Sequence, residues 1–551
     1  MEFLEESEHF VKEKFSRAPL FFYVAAYLSG ILIGAKINIG SFPLHFVLLL
    51  LLFLSLPLYY FTYRNFKKRL NTTLLKVTLL LILYCAAISN ISLSGYKTKT
   101  AESSVLKDGI SRNIKVILTD NIRKHPNSYS LNCFDIEYGE GVIVYTDQKP
   151  MVKVGDTLII INYKGRQVTD FETTPVKNGN DAKNRERTRA IKDSDREFSY
   201  KRYLEKKGVY TTAFVPSANI IRIETAHRSF ASNIKNKREE YIKRIERSIG
   251  AEDGLGTLVA LATGDKRYMD NEDKDSYAAS GTMHLMAVSG MHVVFIFAMI
   301  SALLSFLGNS LPARIVRATA TMFVIVIFCA VADFAPSVLR AAITIFLILI
   351  SSIINRKSYS LNSLSASALI ITIFDPEALF DPGFQLSFAA VLSIIFINPI
   401  IEAKYSPKNR IIKYLWQNIS ISTSCQLGVS LISMPMFGYL PVYFLLANTL
   451  LIPLSVIIIY IISAVILFIS FDFEMIFAFS VLKFLIKTMN YIAITVGELP
   501  FSIIFINIGR LSLSILLTVI MVIFGDFGFS CKTKRVVLIL LIATFILSLA
   551  I

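Results

Sequence analysis

The stretch His284–Leu307, HLMAVSGMHVVFIFAMISALLSFL, decides the fold. From Ser289 to Leu307 it is an apolar run of the length that crosses a bilayer as a helix, about 17–25 residues. Its mouth holds two histidines, a serine and a glycine. Polar groups entering such a segment are costly unless they face protein or water, so they read first as functional. Only His9, His45, His125 and His227 add to the histidine count. On one continuous helix, His284 and His292 would stand about 80° apart and could share a face. Gly290 between them allows close backbone approach or a kink.

Apolar windows of this kind recur on both sides. The chain has 551 residues, 54% of them hydrophobic and 41 of them phenylalanine, whereas a soluble chain this long would divide into domains with polar surfaces. The expectation is a polytopic α-helical membrane protein with about 10–13 transmembrane helices. Three spans precede the polar region, near 19–37, 43–62 and 75–94. Ten follow it, near 289–307, 316–333, 337–355, 361–375, 383–401, 416–438, 443–470, 475–498, 508–526 and 535–551. The first span has no small-residue cleavage site beside it and reads as an uncleaved helix.

Lysine and arginine in short loops set the orientation. Arg64, Lys67, Lys68 and Arg69 place the loop after the second span in the cytoplasm. The polar region, one span later, then lies outside. The same parity puts Arg314 and Arg317, Arg356 and Lys357, Lys404 to Lys413, and Lys532 to Arg535 inside. The division predicted is 1–95 as N-terminal membrane helices, 96–225 as an exported β domain with a basic loop, 226–285 as amphipathic or interfacial helices, and 286–551 as the main transmembrane domain. Residues 96–285 are thus expected on the outer face of the membrane.

Within the exported region, 113–122, 128–138, 141–147 and 153–163 read as strands, short, rich in Val, Ile and Tyr, and punctuated by His125-Pro126-Asn127 and Gly139-Glu140-Gly141. That number of strands suits a small closed or partly closed barrel of OB type inserted after the third helix. Tyr129, Phe134, Tyr138, Tyr145 and Tyr163 are candidates for stacking on bases. Strand alternation sends about half of such a set into the core. The stretch 170–197 is polar and reads as an exposed loop. Residues 226–249 form an amphipathic pattern, with Phe230, Ile234, Ile242, Ile245 and Ile249 on one stripe, suited to lying on the membrane surface.

Residues 96–250 hold 30 Lys+Arg and 20 Asp+Glu, which is 30 − 20 = +10 of the chain's +16. The density peaks around Arg185, Arg187, Arg189, Lys201, Arg202, Lys206 and Lys207. These are the candidate DNA contacts, because basic clusters attract polyanions by releasing counterions. On charge alone the pattern fits better a loop that sits on anionic lipid or stays solvated. Cys85, Cys133, Cys329, Cys425 and Cys531 are scattered, with Cys133 alone in the polar region, so neither a disulfide framework nor a paired-cysteine zinc site is expected there. No GxxxxGK[ST] loop occurs, so nucleotide hydrolysis by that route is not expected, and a moving force would come from a partner such as a cytosolic ATPase, a helicase or a single-strand-binding protein.

Several spaced motifs resemble the ComEC-type competence proteins, which pass transforming DNA through the bacterial inner membrane. Gly264-Asp265-Lys266, then Gly281, His284, Ala287, Ser289, Gly290 and His292, resemble the start of that family's competence domain. Pro336-Ser337-Val338-Leu339-Arg340-Ala341 resembles its PSxxRA helix start. Asp375-Pro376 and the run Asp381 to Phe388, DPGFQLSF, resemble its GFQLSF segment, and Asn448 with Pro453 its later N…P helix. The resemblance is dense over 255–455 and thin over 1–250, where Phe198, Tyr200, Tyr203, Leu204 and Gly208 resemble the junction after an OB-type barrel. It implies a channel for single-stranded DNA. Many members end in a metallo-β-lactamase-like domain, yet no histidine follows His292. Strand degradation and DNA reception are therefore expected from separate nuclease and receptor proteins, and the chain itself is expected not to be an enzyme and to need no cofactor.

The candidate path residues are Asp265, His284, Ser289, Gly290, His292, Ser337, Arg340, Asp381, Gln385 and Asn448. Each has a plainer reading. The histidines can be buried rings that fix a helix break, or ligands of a zinc ion with Asp265 as a third. Ser289 beside histidine invites a serine hydrolase, but without a GxSxG elbow, and small residues are common at membrane helix contacts. Arg340, Asp333, Asp375, Asp381 and Gln385 lie near span ends, where snorkelling accounts for charge. A fixed cation at Arg340 would favour a phosphate backbone over neutral solutes. A transporter of another polyanion or of a small solute is the alternative function.

Overall fold

A computed structural model describes residues 20–36, parts of 83–91, 104, 106, 108–125, 128–167, 204, 208–224, 230–249, 254–356, 359–469 and 476–505. The expected spans at 43–62, 508–526 and 535–551, and all seven candidate DNA contacts from Arg185 to Lys207, lie outside the described residues.

The polar region forms one sheet of eight strands: β1 (Arg112–Leu118), β2 (Arg123–His125), β3 (Ser128–Asp135), β4 (Gly141–Thr146), β5 (Thr157–Tyr163), β6 (Arg166–Gln167), β7 (Val209–Phe214) and β8 (Ile220–Glu224). Alternation drives it. Val116, Leu118, Leu131, Val142, Val144, Leu158 and Ile160 turn inward to one apolar core. Buried Tyr163 closes that core with its hydroxyl 2.8 Å from Thr211 Oγ1. The path runs β6-β7-β4-β3-β1-β5-β8, with β2 paired to β3. Among the described residues the two ends of this path do not pair, and β6 reaches the segment before β1 only through the Asp108–Arg166 bridge, so the sheet does not close into a full barrel and only the partly closed form of the expectation remains open. Strand β7 joins β4 in parallel, a pairing that no local turn signal announces.

Thirteen helical elements were expected as spans, and ten of those windows hold described helical residues. α1 (Leu20–Lys36) packs on the helical stretch around residues 83–91, where a side chain at Gly30 would strike the Tyr84 carbonyl. After the sheet come α2 (Phe230–Ile249), α3 (Leu255–Thr263) and α4 (Asn271–Ala279). The apolar series follows as α5 (Gly290–Leu303), α6 (Leu311–Val331), α7 (Pro336–Ile353), α8 (Ser360–Phe374) and α9 (Pro382–Phe396). It continues through short α10 (Asn398–Glu402), α11 (Arg410–Phe437), α12 (Phe444–Ile469) and α13 (Ile476–Gly497). Helices α6, α7, α12 and α13 are long and apolar enough to cross a membrane, and α1, α5, α8 and α9 are shorter apolar helices, as fits a multi-pass membrane protein. A strand pair, β9 (Tyr439–Pro441) with β10 (Ile503–Phe505), ties the α11–α12 link to the end of α13.

Local chemistry sets the boundaries. Ser310 caps α6 and Asp381 caps α9, each followed by proline in the first turn, where a missing N–H costs nothing. Gly438 ends α11 in the left-handed conformation. Helix α9 lies so close to α11 that a side chain at Gly428 would overlap Ser393, the small-residue contact typical of membrane helices. The stripe on α2 is used differently from the expectation. Ile242 and Ile245 are buried in one core with α3, α12 and α13, so this face meets protein where lipid was expected.

Candidate functional site at the mouth of the apolar helices

Helix α5 begins at Gly290, so His284 precedes it, on a turn, and only His292 rides on the helix. The shared helical face expected from their spacing does not form. The rings are still near enough to interact electrostatically. His284 is exposed, with Nδ1 3.2 Å from the Gly281 carbonyl oxygen. His292 is buried, and its Nδ1 accepts the Ser289 backbone N–H at 3.1 Å, with Ser289 Oγ 3.0 Å away. This is a capping box with imidazole where glutamate or glutamine is usual. Accepting that N–H leaves Nδ1 bare, so in the neutral ring the proton sits on Nε2. Nε2 is buried without a hydrogen-bond partner among the described residues. A nucleophilic serine would also approach an imidazole nitrogen, but no carboxylate among the described residues orients this ring.

Gly290 supplies close approach to α7. A side chain there would run into the Arg340 guanidinium and lie 3.1 Å from Ala341 Cβ. Ser337 Oγ donates to the Val288 carbonyl at 3.1 Å, which fixes the first turn of α7 against the loop. Arg340 Nε donates to Ser387 Oγ at 2.7 Å, and its guanidinium carbon lies 5.9 Å from the Phe388 ring centroid. No acidic side chain pairs with Arg340 among the described residues. Three helices, α5, α7 and α9, thus converge on one oriented cation. Ser387 and Phe388 lie in the DPGFQLSF run, but sequence alone did not single them out. Their signal was the apolar–polar alternation directly after the Asp381 cap.

Other candidates serve elsewhere. Asp381 Oδ1 accepts from Gly383 N at 2.7 Å and Phe384 N at 3.2 Å, and Gln385 Nε2 donates to the Leu379 carbonyl at 3.0 Å. Both groups build the start of α9. Asn448 is buried on α12, beside Ala447 and Leu451, which share a core with Leu285 and Met286. Its Oδ1 has no partner among the described residues.

Asp265 belongs to a separate charged cluster. It receives Arg267 Nε at 2.8 and 2.9 Å and the Arg267 terminal nitrogen, and it lies 3.7 Å from Arg238 of α2. Burial by itself would raise its carboxyl, but the hydrogen bonds and charge of Arg267, with Arg238 behind them, outweigh burial and hold it below the usual range. Arg267 also lies 3.5 Å from Glu239, which accepts the Tyr268 hydroxyl at 2.8 Å. The cluster touches the mouth through Gly264, whose left-handed backbone packs on Val288. Arg238, Arg267 and Glu239 were not singled out, although Arg267 stands two residues from Asp265. No group of three or more His, Cys, Asp or Glu suited to a metal occurs among the described residues, and His284, His292 and Asp265 do not assemble into one.

On the sheet, Tyr163 is core, whereas Phe134 is exposed and Tyr129 and Tyr145 are half-buried. Phe134 stands opposite Ile117 on the outer face. Cys133 is buried in the sheet core, and burial pushes its thiol up to about 12, so it stays protonated.

The family described as Competence protein matches this chain over residues 261–534. ComE operon protein 3 of Bacillus subtilis (strain 168) is 29% identical over 208 residues. That similarity covers 37% of this chain and 26% of the relative, so the chain aligns with about a quarter of that protein's length. No solved structure matches.

Proposed function

The chain is a ComEC-type competence protein through its domain at residues 261–534, and from that premise we propose that it conducts DNA, as a single strand, across the bacterial inner membrane during natural transformation. Residues 96–285 face outward in this reading. The basic polar region gathers DNA by displacing counterions from phosphates. The strand then passes the convergence of α5, α7 and α9. The observation that carries this reading is Arg340, a guanidinium aimed by Ser387 and Phe388 with no carboxylate paired to it among the described residues. A fixed, uncompensated cation among apolar helices attracts an anion and repels cations. The motor is a cytosolic ATPase, a helicase or a strand-binding protein, and degradation of the second strand and initial capture belong to separate proteins.

The test is uptake of a marked DNA fragment in a deletion strain complemented with the wild-type chain or with Arg340→Ala, His284→Ala or His292→Ala. Restoration by wild type alone, with the variants present at normal level in the membrane, is expected. Normal uptake in the deletion strain rejects the reading and leaves the transporter of another polyanion or a small solute. The contact between Ser289 and His292 keeps an intramembrane hydrolase as the second reading. Under that reading Ser289→Ala abolishes function, whereas under ours it lowers it only modestly.

A further inference from the structure

Lys235 and Arg238 of α2 do not face lipid or bulk water alone; their turn of the helix touches two domains at once. On the sheet side, Lys235 Nζ donates to the Thr119 carbonyl at 3.2 Å and lies 3.9 Å from Asp120. Asn236 next to it holds Val154 at both ends, accepting its N–H at 3.2 Å and donating to its carbonyl at 3.0 Å. That two-way bond imitates a rung of β-sheet and fixes register as well as distance. On the helical side, the same Lys235 Nζ pairs with Asp333 at 3.2 Å. Arg238, one turn on, donates to the Val331 carbonyl at 3.0 Å. This satisfies one of the orphan carbonyls that end α6 and places a cation at the negative end of the helix.

The point so gripped is unusual. Asp333 and Phe334 follow one another with φ of 54° and 51°, the left-handed region that non-glycine residues avoid. Two such residues in succession persist only where surrounding contacts hold them. The α6–α7 turn they form leads directly into Pro336, Ser337 and Arg340. From Val154 and Thr119 to Arg340, contacts therefore run unbroken through α2, the end of α6, the left-handed turn and the first turn of α7.

We propose that the turn Lys235–Arg238 of α2 is a positioning strut: it holds the sheet domain against the end of α6, keeps the Asp333–Phe334 turn in its left-handed form, and so sets where α7 presents Arg340. The strut acts through Arg340 and does not itself touch the strand. The effect on passage rests on the function proposed above, while the structural part stands without it.

The experiment compares Lys235→Met, Lys235→Arg and Asp333→Asn in the full-length chain in its membrane. Two readouts are taken on cells, total bound DNA and DNase-protected DNA. A third is cross-linking between Thr119→Cys and Phe334→Cys by a short bifunctional thiol reagent, scored without and with each of the three substitutions. Lys235→Met and Asp333→Asn should each lower protected DNA by roughly tenfold, within the usual range of coupling between sites. Bound DNA and protein level should stay near wild type, cross-linking should drop, and Lys235→Arg should restore both readouts. Unchanged protected DNA and unchanged cross-linking in both loss-of-charge variants overturn the strut. If one variant fails to accumulate, the other decides. Should the wild-type chain itself restore no protected DNA, the channel reading fails, and the cross-linking arm still decides whether the strut exists.

Discussion

Gly290 carries the tightest tolerance at the site. Its missing side chain is the space the Arg340 guanidinium occupies. Gly290→Ala gains a little helix propensity, yet overpacking of this kind costs about 1–3 kcal/mol, so a lower unfolding temperature of the detergent-purified protein is expected. Adding Arg340→Ala should return most of that stability without returning DNA uptake, because the clash is with the guanidinium itself. His292 separates two roles in one side chain. Glutamine at this position is the ordinary partner in a capping box, so His292→Gln should accumulate and fold normally. Nε2 has no partner that the cap explains, and uptake by His292→Gln should therefore fall to the level of His292→Ala. Uptake equal to wild type would assign the imidazole to the cap alone. Sequence alone placed both residues at a mouth. It could not place His284 off the helix, because eight residues of spacing presuppose a helix start that the Ser289 cap moves to Gly290.

At the scale of elements, the expected and observed apolar helices agree closely because length and hydropathy are local properties. Caps such as Ser310, Asp381 and Asn409 then trim each window. What local pattern could not reveal is the partner of an amphipathic stripe. Ile242 and Ile245 would read alike whether they met lipid or α12 and α13. The short 3-10 turn Lys266–Tyr268 and its Asp265 cap give a second prediction of this kind. Asp265→Asn leaves Arg267 and Arg238 without their shared carboxylate, and breaking a buried pair costs about 3–5 kcal/mol. Because the folded carboxyl is depressed, its contribution is whole above the unfolded value of about 3.9. That contribution is lost as pH falls through the lower, folded value. Unfolding temperature followed from pH 7 downward should therefore stay level through mild acidity. Wild type should then lose below about pH 4 a part of its stability that Asp265→Asn never had.

The whole molecule joins a polar region that is basic over residues 96–250 to a set of apolar helices, and its charge is what acts at a distance. With 30 basic against 20 acidic residues over 96–250, binding of a labelled oligonucleotide by the full chain should weaken steeply with salt. A fall of about 10³ or more between 50 and 200 mM is the figure for 6–10 phosphate contacts, and a flat response would argue for a neutral cargo. The sheet was legible as strands, since the windows of β1, β3, β4 and β5 are short, rich in Val, Ile and Tyr, and bounded by turn residues. Its openness was not, because β7 and β8 come from beyond a long polar stretch and pair by long-range register. The same openness governs how the protein can be handled. Freed from the rest, a piece ending near residue 250 would bare Ile242 and Ile245 and would keep the edge of β8, which pairs only with β5 among the described residues. Such a raw border recruits further copies. An excised outer module should clump in the test tube, and whatever selection shaped this polypeptide had to release ribbon and bundle together.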